Sequence, residues 1–572
     1  MYRTEYPRPE LVREPFLNLN GSWDFAFDYN KAGKEQNWQL LPEIFNHKIE
    51  VPFCPESKLS GLAHTNFINA CWYHRTFCVP DAWKGQRVLL HFEAVYYQAE
   101  VFVNGRSVGT HQGGHTPFTF DITDCLTDGE NRLVVYCAGD ARNKLEPSGK
   151  QCHLLNSAGC FYTRTTGIWQ TVWMECVPAV SVSEVKIDTD PENQGVAVTL
   201  HFTGAGRKKV SLQASFNGKP VGTASGTTAL QEACLYVPLS EMHWWDLETP
   251  DLYDLDITVE SDGGCDRMQS YFGIRTLSYD RKGLKLNGRY VFLRTVLDQG
   301  FYPDGVLTAP SEEDLVQDIL LSKRMGFNGA RLHQKVFERR FLYHCDRLGY
   351  LVWGEYPSWG FDYGDPARIP DYCREWLESV RRDYNHPAII GWIPMNENWG
   401  TQSNELVKAV YEVTKMIDPN RPVIDVSWNF HVVTDFYDIH DYEQDNDVFA
   451  NRYRKFEGGR IPDALSLTQP LQYDRNMPFY LSEYGGLKWP PDAQGWGYGA
   501  ALTTEADFET RYCLFAKTLL QNPDVCGLCY TQLYDVEQEL NGLYYYSRKP
   551  KFSEAMLDRM AAVIGQKAAI EE

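Results

Sequence analysis

Two glutamates directly follow apolar, strand-like runs in the second half of the chain. The run at 388–394 leads into Asn396 and Glu397, and the run at 478–481 leads into Glu483. If both runs are parallel strands of one barrel, both carboxylates lie at the rim where barrel strands end. Two facing carboxylates can hydrolyse a glycosidic bond, because one protonates the leaving oxygen while the other attacks the anomeric carbon or activates water. A solvated or ion-paired loop residue is the alternative for each, and spacing alone leaves both interpretations open.

The elements that would position these residues are those of a barrel. From residue 277 onward, strand-like runs alternate with amphipathic helices, one of which opens at Ser311 with Asp314 placed as in a capping box. This alternation predicts parallel βα units, and the length of 277–572 fits a (β/α)₈ barrel. A doubly wound sheet is the alternative, but no Gly-x-Gly-x-x-Gly follows a strand. The eight predicted strands begin near Tyr290, Phe327, Tyr350, Ala388, Pro422, Asp435, Pro478 and Val525.

The first 276 residues have the pattern of β-structure. Asn104-Gly105 and Asn217-Gly218 each lie between strand-like runs. Asn-Gly is a strong hairpin signal, because both residues tolerate positive φ. Short strands at this spacing predict a jelly-roll domain over 1–177 and an immunoglobulin-like sandwich over 178–276. The predicted architecture is therefore multidomain, with two β-domains before the barrel.

The composition argues against several classes of protein. There are 55 basic and 76 acidic residues, a net charge of −21, and so acidic a chain is a poor binder of nucleic-acid backbones. No run of about 18 apolar residues exists, so neither a transmembrane helix nor a membrane partner is expected. The first residues contain no apolar stretch typical of a signal peptide, and fifteen cysteines, an odd number, suggest reduced thiols. These features favour a cytoplasmic protein. Aromatic residues make up 14% of the chain, enough for some to line a carbohydrate site.

Several motifs together resemble glycoside hydrolase family 2, which includes β-galactosidases, β-glucuronidases and β-mannosidases. The resemblance extends over nearly all of the chain and implies the same order of domains. The motifs similar to the family's N-terminal domain are Leu19-Asn20-Gly21-Ser22-Trp23, Trp72-Tyr73-His74-Arg75, Val103-Asn104-Gly105 and Gly167-Ile168-Trp169-Gln170. Those similar to the barrel and its junction are Phe272-Gly273-Ile274-Arg275, Phe327-Asn328-Gly329-Ala330-Arg331-Leu332-His333, Cys345-Asp346-Arg347-Leu348-Gly349, and Asn396-Glu397 with Glu483.

The resemblance assigns the residues of a retaining mechanism. It implies that Glu397 is the general acid/base, Glu483 the nucleophile and Asn396 a hydrogen-bond partner of the sugar 2-hydroxyl. A retaining enzyme holds its two carboxyl groups about 5–5.5 Å apart. Arg331 and His333 occupy positions where the family keeps polar contacts to the nucleophile and the sugar. An arginine there can hold a carboxylate ionised.

Further side chains at predicted strand ends are candidate sugar ligands. Glu355 follows the third strand, and His440 and Tyr442 follow the sixth. We expect Tyr442 to be able to donate a hydrogen bond to Glu483. The tryptophans that are either stacking surfaces or core residues are Trp353, Trp399 and Trp428.

The chain departs from the family pattern after two strands. After the first, where β-galactosidases of the family usually have Asn-Arg-His, it has Leu297-Asp298-Gln299. Asp298 is therefore a candidate ligand that the resemblance does not supply. After the eighth, the usual tryptophan is absent, and the residues that could replace it are Gln532, Tyr534 and Asp535.

A third departure bears on an acidic substrate. β-Glucuronidases of the family carry Asn-x-Lys-Gly shortly before an Arg-x-Pro-Lys stretch. Here Asn541-Gly542-Leu543 precedes Arg548, so the lysine expected to meet a glucuronate carboxylate is missing. Another basic residue could serve. The basic run between strands six and seven, which is either a solvated loop or a carboxylate clamp, consists of Arg452, Arg454, Lys455 and Arg460.

The predicted function is that of a retaining exo-β-glycosidase, with β-galactosidase as first choice. A β-uronidase, either a galacturonidase or a glucuronidase, comes second, followed by a β-mannosidase or arabinosidase. A carbohydrate-binding protein on an inactive scaffold is the rival from another class, and the intact Asn396, Glu397 and Glu483 weigh against it. We expect a carbohydrate substrate, no cofactor and no metal ligand set, and a homo-oligomer is compatible with the family.

Overall fold

The computed structural model describes residues 3–398, 401–454, 456, 465, 469–474 and 476–572. The strands of the first domain are Phe16–Asn18 (β1), Gly21–Phe27 (β2), His47–Val51 (β3), Cys71–Cys78 (β4), Arg87–Phe92 (β5), Val95–Tyr96 (β6), Gln98–Val103 (β7), Arg106–Gln112 (β8), Phe118–Asp121 (β9), Glu130–Ala138 (β10), Gly167–Ile168 (β11) and Val172–Val177 (β12). Two antiparallel sheets, ordered β1-β12-β5-β9 and β3-β2-β4-β10-β7-β8, share one apolar core. The predicted jelly-roll domain is confirmed.

The second domain is a two-sheet sandwich. Its strands are Ser181–Asp190 (β13), Gly195–Thr203 (β14), Lys208–Phe216 (β15), Lys219–Thr228 (β16), Glu232–Pro238 (β17), Tyr253–Ser261 (β18) and Gly264–Phe272 (β19). They form sheets ordered β13-β14-β17 and β16-β15-β18-β19. The Asn-Gly pairs at 104–105 and 217–218 join β7 to β8 and β15 to β16, and all four residues have φ between 49° and 80°. The hairpin prediction holds at both places because the turns require left-handed backbone.

The barrel begins after a small three-stranded sheet formed by Leu277–Asp280 (β20), Gly283–Leu286 (β21) and Arg289–Tyr290 (β22). Its strands are Leu293–Asp298 (β23), Gly329–Leu332 (β24), Leu351–Glu355 (β25), Ile389–Ile393 (β26), Met395–Asn396 (β27), Val426–Ser427 (β28), Tyr437–Asp441 (β29), Phe479–Gly485 (β30) and Gly527–Thr531 (β31). Seven of them form a curled parallel sheet ordered β26-β25-β24-β23-β31-β30-β29. The fifth barrel position is held by β28, which pairs with β27, the extension of β26 past Pro394. The (β/α)₈ prediction is confirmed.

Helices cover the outside of the barrel sheet. In the described part of the chain they are Glu312–Arg324 (α1), Arg339–Leu348 (α2), Ile369–Asp383 (α3), Asn404–Ile417 (α4), Asn446–Arg454 (α5), Glu505–Leu520 (α6) and Glu554–Ile564 (α7). Ser311 caps α1 by accepting a hydrogen bond from the Asp314 backbone, as the sequence predicts. Gly349, with φ 61°, ends α2. Among the described helices, none is both long and apolar enough to cross a membrane.

The first domain and the barrel are packed together. Tyr96, Tyr97, Tyr162 and Trp169 of the first domain belong to the same buried cluster as the barrel core. The long loop 139–166 between β10 and β11 lies against the carboxyl ends of the barrel strands. Its attachment there is shown by hydrogen bonds from the backbone of Ser148 and Gly149 to Trp359 O (2.8 and 3.0 Å), from Tyr162 Oη to Glu539 (2.5 Å) and from Thr163 N to Glu537 (3.0 Å). The first domain therefore contributes residues to the barrel rim.

Candidate active site

Glu397 is positioned by a kink at the end of the fourth barrel strand. Pro394 separates β26 from the two-residue strand β27, after which Glu397 adopts φ 39°. A non-glycine residue in left-handed backbone is strained, and such residues cluster at functional sites. The Glu397 N–H donates to Ser427 O (3.1 Å), and the side chain retains 12% exposure. The carboxylate is thus held in place and still open to the cavity.

Glu483 lies within β30, the seventh barrel strand, and is more enclosed. Arg331 Nη1 donates to its Oε1 (2.9 Å), and Tyr442 Oη donates to its Oε2. Its side chain is only 5% exposed. The hydrogen bond that the sequence analysis expected from Tyr442 is present.

The environment of Glu483 favours its ionised form. Burial alone would raise its pKa, but the charges of His440 and Arg331 and the hydrogen bond from Tyr442 outweigh burial and lower the pKa to about 2. Opposite charges and hydrogen bonds to the charged form both stabilise a carboxylate. At neutral pH Glu483 is therefore an anion, as a nucleophile must be.

The two glutamates face each other across His440. One carboxylate oxygen of Glu397, one of Glu483 and a ring nitrogen of His440 all lie within 4.8 Å of one another. His440 Nδ1 is 2.6 Å from Glu397 Oε1, and Nε2 is 3.4 Å from Glu483 Oε1. Burial lowers the pKa of His440, but the two carboxylates outweigh it and raise the pKa. The short Nδ1–Oε1 hydrogen bond can hold one proton between His440 and Glu397.

Arg331 connects three strand ends. Its Nε donates to Glu355 (2.6 Å), its Nη1 to Glu483 and its Nη2 to Asn396 Oδ1 (2.6 Å), and the side chain is fully buried. Because Asn396 Oδ1 is occupied, the amide nitrogen is the free end of that side chain. Asn396 Nδ2 is buried and has no hydrogen-bond partner within the described part of the chain. It is an unused donor at the site.

His333 completes the floor of the site as a neutral residue. Its Nδ1 lies 3.1 Å from Glu355 Oε1, but burial, Lys150 and Arg331 hold its pKa well below the ordinary value. We therefore interpret the contact with Glu355 as dipolar rather than ionic. Seven of the predicted site residues thus form one network with Glu397, namely Asn396, Arg331, His333, Glu355, His440, Tyr442 and Glu483.

Family models match each domain in turn. The model described as "Glycosyl hydrolases family 2, sugar binding domain" matches residues 16–146, "Glycosyl hydrolases family 2" matches 180–275, and "Glycosyl hydrolases family 2, TIM barrel domain" matches 281–488. Together they cover most of the chain in the order of the observed domains. The chain belongs to glycoside hydrolase family 2. The predicted family is confirmed, and with it the prediction of a glycosidase.

Relatives of this family 2 hydrolase are named as β-glucuronidases or β-galactosidases. A β-glucuronidase of Paenibacillus borealis is 25% identical over 84% of this chain and 84% of that protein. A β-galactosidase of Thermoanaerobacter pseudethanolicus is 26% identical over 79% of this chain and 61% of that protein, so the chain spans about three fifths of this relative. The solved β-glucuronidase of Ruminococcus gnavus in complex with D-glucuronic acid has a TM-score of 0.78 at 20% identity, covering 98% of this chain and 100% of that one. That likeness supports the fold.

Asp298 belongs to a different cluster of the hydrolase. Its Oδ1 accepts from Gly300 N (2.9 Å) and from Tyr534 Oη (2.5 Å), and it is 1% exposed. Arg548 stacks on the Tyr534 ring, with its Cζ 3.6 Å from the ring centroid. These contacts give Asp298 a structural role beside the eighth strand. The suggested replacement Asp535 is likewise engaged, by Lys551 Nζ at 2.5 Å.

Gln532 remains a candidate ligand at the end of the eighth strand. Its Nε2 donates to Asn541 Oδ1 (2.8 Å), while its buried Oε1 has no partner among the described residues. The preceding residue, Thr531, lies 3.1 Å from Tyr442 Oη through its hydroxyl. Gln532 therefore lies next to the side chain that holds Glu483.

Within its described part, only Arg452 of the basic run is bound by carboxylates. Arg452 is bound by Asp441 (2.5 Å) and Glu443 (3.3 Å), and Arg454 Nε donates to Ala450 O. The predicted stacking residue Trp353 is fully buried in the barrel core. Three residues named in the sequence predictions, Trp399, Lys455 and Arg460, lie outside the described residues.

The sequence analysis missed three residues that reach the site. Lys150 and Phe161 come from loop 139–166, and Trp359 follows the third barrel strand; the Phe161 and Trp359 ring centroids are 5.3 Å apart. The loop has no strand pattern in its sequence. Its only structural signal is the turn-forming sequence Pro-Ser-Gly at 147–149.

The oxygen and nitrogen atoms of Glu397, His440 and Glu483 are close enough together to be considered as metal ligands. Their lone pairs are already engaged, because Arg331 and Tyr442 donate to Glu483 and His440 contacts Glu397. An arginine in direct contact with one member also repels a cation. We therefore interpret the cluster as a proton-transfer site.

Proposed function

We propose that this family 2 hydrolase cleaves terminal, non-reducing β-glycosides by double displacement. The observation that carries the proposal is the pair of carboxylates within 4.8 Å, of which Glu483 is held ionised. This separation supports a covalent route, because inverting enzymes hold their carboxyl groups about 6.5–9.5 Å apart to admit a water molecule.

In the first step, Glu483 attacks the anomeric carbon while Glu397 gives its proton to the glycosidic oxygen. The leaving group departs as an alcohol and a glycosyl ester of Glu483 remains. In the second step, Glu397 takes a proton from water, which attacks the same carbon and frees Glu483. His440 is placed to orient the Glu397 carboxyl group in both steps, because its Nδ1 lies 2.6 Å from Glu397 Oε1.

Asn396 is the proposed partner of the sugar 2-hydroxyl. Its oxygen is bound by Arg331, and its Nδ2 has no partner in the part of the chain that the structure describes, so it presents a donor beside the nucleophile. Contacts to the 2-hydroxyl strengthen in the transition state of such enzymes. Loop 139–166 crosses the rim, and its position supports attack at chain ends rather than within a polymer.

Two substrate classes are supported by the names of relatives, β-galactosides and β-uronides. The test is a panel of 4-nitrophenyl β-galactoside, glucuronide, galacturonide, mannoside and α-L-arabinoside. Release of nitrophenol with retention at the anomeric carbon, followed by proton NMR, is expected for at least one of them. Binding of sugars without turnover of any would instead support the rival, a carbohydrate-binding protein on an inactive scaffold.

A further inference from the structure

One cation at the barrel rim lacks an anionic partner. Lys150 is 6% exposed, and its Nζ lies 4.3 Å from the centroid of the Trp359 ring. Within the described part of the chain, no hydrogen-bond acceptor and no carboxylate is recorded within bonding distance of Nζ. A buried charge is costly unless it is paired, so an ammonium kept in this state is suited to an anion that arrives from outside.

Four other buried cations near the barrel rim, all within the described residues, are already bound. Their partners are Glu355, Glu483 and Asn396 for Arg331, Asp318 for Arg548, Asp535 for Lys551, and the carbonyls of Gly300 and Leu307 for Lys335. Lys150 therefore differs from them in having its ammonium uncommitted.

Trp359 fixes Lys150 next to the sugar-binding atoms. Trp359 Nε1 donates to Asn396 O (2.8 Å), while its own carbonyl accepts from the backbone of Ser148 and Gly149. The residue that would bind the sugar 2-hydroxyl and the loop that carries Lys150 thus share one tryptophan. The Lys150 ammonium lies over the Trp359 ring, and the backbone carbonyl of Asn396 is bound by the indole nitrogen of the same residue.

The charged and titratable groups around Lys150 keep it protonated. Burial lowers its pKa, but Cys160, Glu539, Glu483 and Glu397 outweigh burial and raise it. Glu539 is itself bonded to Tyr162 and Asn541. Lys150 is therefore a cation at neutral pH, whatever the sugar.

We propose that Lys150 binds the carboxylate of a terminal uronic acid, so that the substrate is a β-hexuronide. The inference rests on the proposed function. A compact ammonium suits a single carboxylate, and Trp359, packed beside Phe161, holds that ammonium at the site. Lys150, from another domain, would then take the role of the lysine that is missing at 543, where Leu543 is fully buried.

The test compares sugars that differ only at C6. Initial rates are measured on 4-nitrophenyl β-galacturonide against β-galactoside, and on β-glucuronide against β-glucoside. Wild-type enzyme is expected to prefer the uronide in at least one pair. Lys150→Met, which keeps the aliphatic stem on Trp359, should lower kcat/KM for that uronide by about 10- to 150-fold, the range for one hydrogen bond to a charged group. The neutral partner should change by less than about threefold, and Lys150→Arg should retain more uronide activity than Lys150→Met.

Lys84→Met is the matched control, because Lys84 is an exposed lysine of the same domain, paired with Asp81. It should leave both substrates unchanged. Equal losses on uronide and neutral sugar in Lys150→Met would overturn the inference, as would a wild-type preference for the neutral sugars.

Two results distinguish failure of the proposed role of Lys150 from failure of the proposed glycosidase function. If wild-type enzyme hydrolyses neutral glycosides only, the proposed glycosidase stands and the role of Lys150 fails. If it hydrolyses no nitrophenyl glycoside, the proposed function itself fails. Should Lys150→Met not fold, inhibition of the wild type decides: a free uronic acid is expected to inhibit at least about tenfold more strongly than its neutral sugar, and equal inhibition would contradict the inference.

Discussion

The barrel rim and loop 139–166 meet at the carboxyl ends of the barrel strands but are built differently. At the rim, Arg331 ties Glu355, Glu483 and Asn396 together, and each contact satisfies a buried group. In the loop, the backbone is anchored through Trp359, while the ammonium of Lys150 has no hydrogen-bond or ion-pair partner among the described residues. A network in which every group is hydrogen-bonded holds the reacting groups in one geometry. A charged group without a bonded partner can instead select a ligand of opposite charge. We therefore expect rim substitutions to affect every substrate and loop substitutions to affect some.

The largest effect is expected at the nucleophile. Glu483→Gly should lower kcat roughly 10⁴- to 10⁶-fold, the range for loss of a catalytic nucleophile. Because the loss is chemical, it should be equal for every glycoside that the wild type accepts. Steady-state rates on uronides and neutral sugars measure this loss. If Glu483→Gly kept its activity on one of these two substrate classes, the proposed difference between rim and loop would be wrong.

A smaller and leaving-group-dependent effect is expected at the acid/base. Glu397→Ala should lower kcat/KM about 10²- to 10⁴-fold for alkyl glycosides, whose leaving oxygen needs a proton. Dinitrophenyl glycosides, which leave without help, should lose much less in the first step. A Brønsted plot of rate against leaving-group pKa should steepen relative to the wild type. An unchanged slope would show that Glu397 does not donate the proton to the leaving group.

Replacing Arg331 should change both stability and pH dependence. Arg331→Met leaves Glu355 and Glu483 buried without their cation, which costs about 3–5 kcal/mol in the free energy of unfolding. The pKa of Glu483 is depressed to about 2, so its stabilisation is present above the unfolded value of about 4.3 and is lost as pH falls towards 2. In the variant that pKa rises, so the acid limb of kcat/KM should move to higher pH.

Urea unfolding and pH–rate profiles measure these two effects. Arg324→Met is the matched control, because Arg324 pairs with Glu554 and Asp558 on the surface. It should cost less than about 1 kcal/mol and leave the pH profile in place. An acid limb that stays fixed in Arg331→Met would show that Arg331 does not control the ionisation of Glu483.

The smallest effect is expected at the anchor of the loop. Gly149 has φ 57°, and a Cβ there would lie 2.5 Å from Gln334 O, so Gly149→Ala must shift the loop. We expect KM to rise roughly 5- to 30-fold with little change in kcat, equivalent to the cost of about 1–2 kcal/mol for one residue in left-handed backbone. Gly129→Ala is the control, since φ is 86° but nothing lies within 4 Å. A fall in kcat without a change in KM would mean that the loop serves catalysis rather than binding.

The sequence predicted the rim well because parallel strands bring their ends together. The eight strand positions, and Glu397, Glu483, Arg331 and Tyr442 at their ends, follow from apolar runs and short motifs. Asp298 shows the limit of that reasoning. A polar residue after a strand can equally join a buried hydrogen-bond network, as the bond between Tyr534 and Asp298 shows.

Lys150 could not be predicted from the sequence, because its position depends on contacts between domains. It lies in a segment without strand or helix pattern, and only the packing of loop 139–166 on Trp359 brings it to the site. Arg452 shows the reverse case, since the basic run suggested a free clamp but Asp441 binds it. Whether a cation is free to bind a ligand depends on which carboxylates lie near it in the folded protein. The sequence alone does not show these neighbours.

The stereochemistry of azide rescue tests the assignment of the two carboxylates most directly. In Glu483→Gly, azide should enter the space of the missing side chain and give a glycosyl azide of inverted configuration, because only one displacement occurs. In Glu397→Ala, the nucleophile remains, and azide should attack the glycosyl ester to give a product of retained configuration. The anomeric proton coupling in NMR distinguishes the two products. The opposite pattern would show that the roles of Glu397 and Glu483 are exchanged, and wild-type turnover in either variant would remove that residue from the mechanism.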